Sequence, residues 1–156
     1  MIKLVRVDHR LVHGQVAFSW TKFLGIDCIL IASDELQKDD LKMAGLRMAK
    51  PANVKLVMKG LEDSAKALNS GVTDKYNLMI LCESIEDVYH LTQKTDCIKS
   101  VNLGGTRTRE DRKQISKAVH VTDEDIEMIQ AMDSKGITVD VQLVPDDPKS
   151  DALKLL

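Results

Sequence analysis

Apolar and polar positions along this chain fall into alternating blocks of two kinds. Short continuous apolar runs alternate with longer stretches whose apolar residues recur every three or four positions. The first kind predicts strands at Ile2–Val7, Cys28–Ala32, Val54–Met58, Leu78–Cys82, Ser100–Leu103, Ala118–Val121 and Thr138–Val144. Runs such as Cys-Ile-Leu-Ile-Ala at 28–32 suit strands covered on both faces, whereas Thr138–Val144 alternates enough to be an edge. The second kind predicts helices over Gln15–Leu24, Leu36–Lys50, Leu61–Asn69, Ser84–Lys94 and Thr122–Lys135. Their ends carry the expected chemistry. Pro51 stops the second helix, Gly71 and Gly136 close the third and fifth, and Ser84 and Thr122 open the last two as capping residues. Ser33-Asp34 reads as a further N-cap, and Ala152–Leu156 as a short terminal segment. Repeated strand–helix–strand units with short connections predict an α/β fold. The expectation is one domain over 1–156, built on a single doubly wound, mostly parallel sheet of about seven strands with helices on both faces.

Composition narrows the function. A net charge of -2 and an aromatic content of 3% disfavour a nucleic-acid binder. No apolar run approaches the length of a membrane span, and Met1–Arg6 lacks the apolar stretch of a secretion signal. The 3 cysteines, Cys28, Cys82 and Cys97, are widely spaced and read as reduced core or near-core residues. No cysteine or histidine pair has metal-ligand spacing, so no metal and no cofactor are expected.

The chemistry concentrates in Val7-Asp8-His9-Arg10-Leu11-Val12-His13-Gly14-Gln15-Val16, between the first strand and the first helix. In a doubly wound fold this is the carboxyl edge of the sheet, where sites form. Neutral imidazole is a nucleophile near pH 7, so His13 is the candidate phosphoryl acceptor. Amides of the first helical turn, including Gly14 and Gln15, face such a group with the positive end of the helix dipole. Arg10 offers a planar donor fork for the same oxygens. Asp8 is placed to orient His9, His13 or Arg10. Asn102-Leu103-Gly104-Gly105-Thr106 follows another strand and is a candidate second wall, with Gly104, Gly105 and Thr106 facing the anion. His9, Trp20, Arg107 and Arg109 are candidate partner contacts, Trp20 by default a core residue. His90 and His120 read as structural.

Together these motifs resemble the B component of the mannose/fructose/sorbose family of the bacterial sugar phosphotransferase system. The likeness runs from Val5–Val16 through Ile31–Glu35, Val101–Gly105, Ala118–Val121 and the Gly136 turn. His9 stands where many members carry an acidic or small residue, and Thr106-Arg107 where many carry a methionine. The resemblance implies phosphorylation of His13 at Nδ1, with Arg10 holding the phosphate. It implies donation by a IIA component, delivery to a sugar through membrane IIC and IID components, and a cytoplasmic protein held at the inner membrane face by those partners. A homo-oligomer is compatible with it. A receiver domain lacks its aspartate after the third strand, where Met58-Lys59-Gly60 stands, and a dinucleotide site lacks G-x-G-x-x-G. A histidine-dependent phosphate mutase or phosphatase remains open if His120 serves as a second histidine, as does a regulatory descendant of the family.

Overall fold

A computed structural model describes residues 1–156. Seven strands form the main sheet: β1 (Ile2–Asp8), β2 (Cys28–Ala32), β3 (Lys55–Lys59), β4 (Leu78–Cys82), β5 (Ser100–Gly105), β8 (Thr138–Val141) and β9 (Ser150–Asp151), in the order β3-β2-β4-β1-β5-β8-β9. All pairings are parallel except β8 with β9. Five helices connect them: α1 (Gly14–Leu24), α2 (Asp40–Ala49), α3 (Leu61–Ser70), α4 (Ile85–Lys94) and α5 (Asp123–Ser134). A separate antiparallel pair, β6 (Lys113–Gln114) with β7 (His120–Val121), lies between β5 and α5.

The period-2 geometry of strands sends successive side chains into two cores. Val5, Val7, Leu30 and Ile80 face α3, α4 and α5 through Leu61, Val88 and Ile129. Ile29, Ile31, Met79 and Leu81 face α1 and α2 through Trp20 and Leu46. Each fully buried Leu or Ile contributes about 1.5–3 kcal/mol by leaving water. That double demand explains why the central strands read as unbroken apolar runs.

Five expectations change. The helix expected over Leu36–Lys50 is two elements: a 3-10 turn at Glu35–Lys38, then α2. Asp39 breaks it with φ −127° and caps the new start by accepting from the Lys42 amide at 2.9 Å. The strand expected at Ala118–Val121 stays out of the main sheet, because it folds back on β6 and on Thr106. The strand expected to end at Val144 stops at Val141, where the Gln142 side chain turns to donate to the carbonyls of Pro145 and Asp147. Nor is that strand an edge, since β9 covers it. Cys28 and Cys82 are buried as expected, and burial pushes both thiols up; Cys97 is exposed, because it lies in the turn that precedes β5. The Ser33-Asp34 caps form, and they serve two elements. Ser33 Oγ accepts from the Leu36 amide, while Asp34 Oδ1 reaches across to the Leu61 amide at the start of α3.

Candidate functional site

The site begins where β1 ends. Asp8 is fully buried, and its Oδ1 accepts from the Arg10 amide at 3.0 Å. The chain then turns sharply, with Leu11 in the left-handed region (φ 58°). A side chain there costs about 1–2 kcal/mol. Leu11 and Val12 are nonetheless 2% and 3% exposed, so their burial in the core beside Trp20 holds the turn. The turn delivers His13 as the N-cap of α1, in extended conformation.

This helix start is bare. The His13 side chain makes no capping bond, and the first turn holds no acidic residue. The amides of Gly14, Gln15 and Val16 meet no acceptor within the chain. They present donors and the positive dipole end beside the imidazole. His13 is 22% exposed; its Nδ1 lies 3.3 Å from the Leu11 carbonyl and 4.0 Å from Asp8 Oδ2, and its Nε2 is buried without a partner. Around the same carboxylate stand Arg10 Nε at 3.7 Å and His9 Nδ1 at 3.9 Å, Arg10 being 48% exposed. Burial lowers the pKa of His9; Arg10 and Arg107 add to that, Asp8 and the Gly105 backbone oppose it. Asp8, His9, Arg10, His13, Gly14 and Gln15 are therefore brought together as the spacing predicted.

The second wall is built differently from the expectation. Gly104 and Gly105 belong to β5, not to a loop. The β1–β5 register passes from Val7↔Leu103 to Asp8↔Gly105 and skips Gly104. A Cβ at Gly104 would collide with the Arg6 guanidinium. Gly105 accepts from the His9 amide at 3.1 Å and so borders the site. The Thr106 hydroxyl is 2.6 Å from both the carbonyl and the amide of His120, and it is engaged there.

Arg6 is the residue the sequence reading missed. It is 2% exposed in the middle of β1, on the same face as Asp8. Its Nη2 donates to Asp8 Oδ2 at 3.3 Å and to the Leu143 carbonyl at 2.9 Å. Its Nη1 donates to Asn102 Oδ1 at 2.5 Å and to the Gln142 carbonyl at 3.0 Å. The guanidinium lies 5.4 Å from the Trp20 ring centroid. Burial pulls its pKa below the usual value against the opposing pull of Asp8, yet an arginine so paired stays cationic. A charged residue two positions from Asp8 inside an apolar strand was the available signal.

The candidate docking residues scatter. Trp20 is 4% exposed and donates from Nε1 to the Leu143 carbonyl, which removes it from any partner's reach. Burial of its indole against Arg6 is the reason. Arg109 is exposed and pairs with Asp111 at 3.4 Å. Arg107 lines a cleft of about 390 Å³ with Arg112, Asp34, Glu83, Asp87 and His90. Partial burial, with Glu83 and Glu86 nearby, pushes Asp87 up to about 6. His90 is exposed, 3.5 Å from Glu86, and His120 Nδ1 is buried without a partner. No three His, Cys, Asp or Glu side chains converge as metal ligands would.

The family model of the "PTS system sorbose subfamily IIB component" matches residues 2–156. The chain belongs to this family. IIB components of the phosphotransferase system are phosphotransferases. The chain is 32% identical to the fructose-specific EIIB component of Bacillus subtilis, covering 99% of this chain and 95% of that protein. It is equally identical to the mannose-specific EIIAB component of Escherichia coli, but there its whole length spans 48% of the relative. In structure it matches the IIBSor domain of the sorbose permease from Klebsiella pneumoniae with a TM-score of 0.94 at 29% identity, covering 99% of this chain and 95% of that one. The same architecture recurs in the N-acetylgalactosamine-specific IIB component 1 of E. coli, with a TM-score of 0.90, 27% identity and coverage of 97% and 99%. The expected α/β sheet is thus the fold of the IIB family.

Proposed function

We propose that this IIB protein carries a phosphoryl group on His13, taking it from the phosphohistidine of a IIA component and passing it to a sugar entering through membrane IIC and IID components. The observation that carries this reading is the bare start of α1. Its free amides and dipole lie beside a partly exposed imidazole, with Arg10 within reach of the same space. In the transfer, the N–P bond of the donor breaks and an N–P bond on His13 forms. The three phosphoryl oxygens gain donors from the helix amides and from Arg10.

The acceptor atom in this proposal is Nδ1. In the resting geometry Nδ1 faces the Leu11 carbonyl at 3.3 Å, so before transfer the ring turns away from that carbonyl and its proton passes through solvent from Nδ1 to Nε2, which leaves the Nδ1 lone pair free for phosphorus. Breaking one such bond costs about 0.5–1.5 kcal/mol, small beside a transfer barrier. A shallow site suits a carrier that meets two protein partners in turn. Relatives of one architecture carry fructose, mannose, sorbose and N-acetylgalactosamine in their names. That variety on one fold supports a choice of sugar by the membrane partners. In this proposal the carrier is cytoplasmic and is held at the membrane face by those partners; no helix of its own is long and apolar enough to cross a membrane.

The test is a reconstituted relay of phosphoenolpyruvate, the general phosphotransferase proteins, a matching IIA component and this chain, followed by intact mass. Wild type is expected to gain one acid-labile phosphoryl group, and His13→Ala none. A gain that persists in His13→Ala would overturn the site, with His9 the next residue to change.

A further inference from the structure

We infer that Arg6 is a positioning residue for the phosphoryl site, acting through Asp8; this rests on His13 being the acceptor. Taking a guanidinium out of water costs several kcal/mol, and an apolar residue at position 6 would avoid that cost altogether. The fold instead organises several distant segments around this one side chain. Gly104 lacks the Cβ that would exclude it, Asn102 supplies a side-chain acceptor, and the strand from 138 stops so that the carbonyls of Gln142 and Leu143 point at it. The far end of that network is Asp8. One carboxylate oxygen meets Arg6, and the other holds the Arg10 amide.

Asp8 is also the anion nearest the acceptor, with Oδ2 4.0 Å from His13 Nδ1. Left alone, it would repel an arriving phosphoryl group and draw the Arg10 side chain onto itself. Arg6, bound from the interior, offsets that charge. Arg10 Nε then stays at 3.7 Å, outside hydrogen-bonding distance, and its fork is free for phosphate. The Gly-Gly pair therefore serves the anion site at one remove: Gly104 makes room for Arg6, and Arg6 fixes Asp8.

The experiment is single-turnover transfer from phosphorylated IIA to wild type, Arg6→Lys, Gly104→Ala, Asp8→Asn and the Arg6→Lys/Asp8→Asn double variant. Lysine keeps the charge but cannot span Asp8, Asn102 and two carbonyls as the planar fork does. Arg6→Lys is expected to lower the saturating rate about tenfold or more, with the half-saturating donor concentration within about twofold. Gly104→Ala, which displaces the guanidinium without removing it, should do the same. In the Asp8→Asn background, Arg6→Lys should add less than about a twofold loss. An equal loss in both backgrounds, or a change in donor affinity alone, overturns the inference. Amide exchange at Arg10 reads the linkage without any donor. Faster exchange in both Arg6→Lys and Asp8→Asn supports it, and unchanged exchange in a folded Arg6→Lys overturns it. Should wild type take up no phosphoryl group, the carrier reading fails, and the exchange data still decide whether Arg6 positions the loop.

Discussion

Two helix starts on the same edge of the sheet are built in opposite ways. At α5, Thr122 Oγ1 accepts from the Asp125 amide and Asp125 Oδ2 accepts from the Thr122 amide, each at 3.0 Å. Asp123, Glu124 and Asp125 complement the dipole. At α1 there is no capping bond and no acid; the turn is held by the buried side chains of Leu11 and Val12. The other helices resemble α5, each with at least one acid in its first turn. A helix that is capped has already satisfied its positive end. The one left open, and anchored by apolar packing instead, is the one whose donors remain for a ligand.

That contrast can be tested by exchanging its parts. Removing the apolar anchor is expected to have the largest effect. Leu11→Ala should cost about 2–4 kcal/mol, since the lost burial outweighs any relief at its backbone, read as a lower midpoint in denaturant unfolding. Next is an acid placed in the open turn. Gln15→Glu should slow phosphoryl uptake about tenfold or more, because the new carboxylate would occupy the field that the proposed phosphoryl group needs. Thermal stability should hold or rise slightly, as at any helix start. A variant with unchanged uptake would break the link between the bare end and the anion.

Asp87 lies in the first turn of α4, where acids crowd. Its folded pKa is raised from 3.8 to about 6, so the folded state binds more protons than the unfolded state between those values. Stability should fall as pH rises from about 4 to about 6, and Asp87→Asn should flatten that slope. After solvent screening, Asp87→Asn should be about 1–2 kcal/mol more stable than wild type at neutral pH, measurable by urea unfolding across pH. The smallest change is Thr122→Ala, which should cost about 1 kcal/mol and leave phosphoryl transfer untouched.

Features set by local chemistry were legible in the sequence: the apolar runs of β2 and β4, the caps at Ser84 and Thr122, and the clustering of Asp8, Arg10 and His13 between a strand and a helix. What was hidden depended on distant partners. Arg6 has meaning only once residues 102, 142 and 143 arrive beside it. Gly104-Gly105 reads as a turn until the guanidinium that needs the space is known. The 36–50 pattern looks continuous because its apolar period survives the interruption, while Asp39 restarts the backbone by bonding to its own neighbour. Ala118–Val121 is apolar enough for a sheet, but its hydrogen bonds go to Thr106 and β6.

The two-residue β9 has a consequence for solubility. By pairing with Asp140 and Val141 it covers half of β8 and leaves that rim of the main sheet only two residues long, so that the longer rim left is β3. That remaining rim begins and ends in lysine, at Lys55 and Lys59, which discourages another strand from adding there. The flanks of the main sheet are thereby guarded against strand addition by other proteins or by copies of this chain.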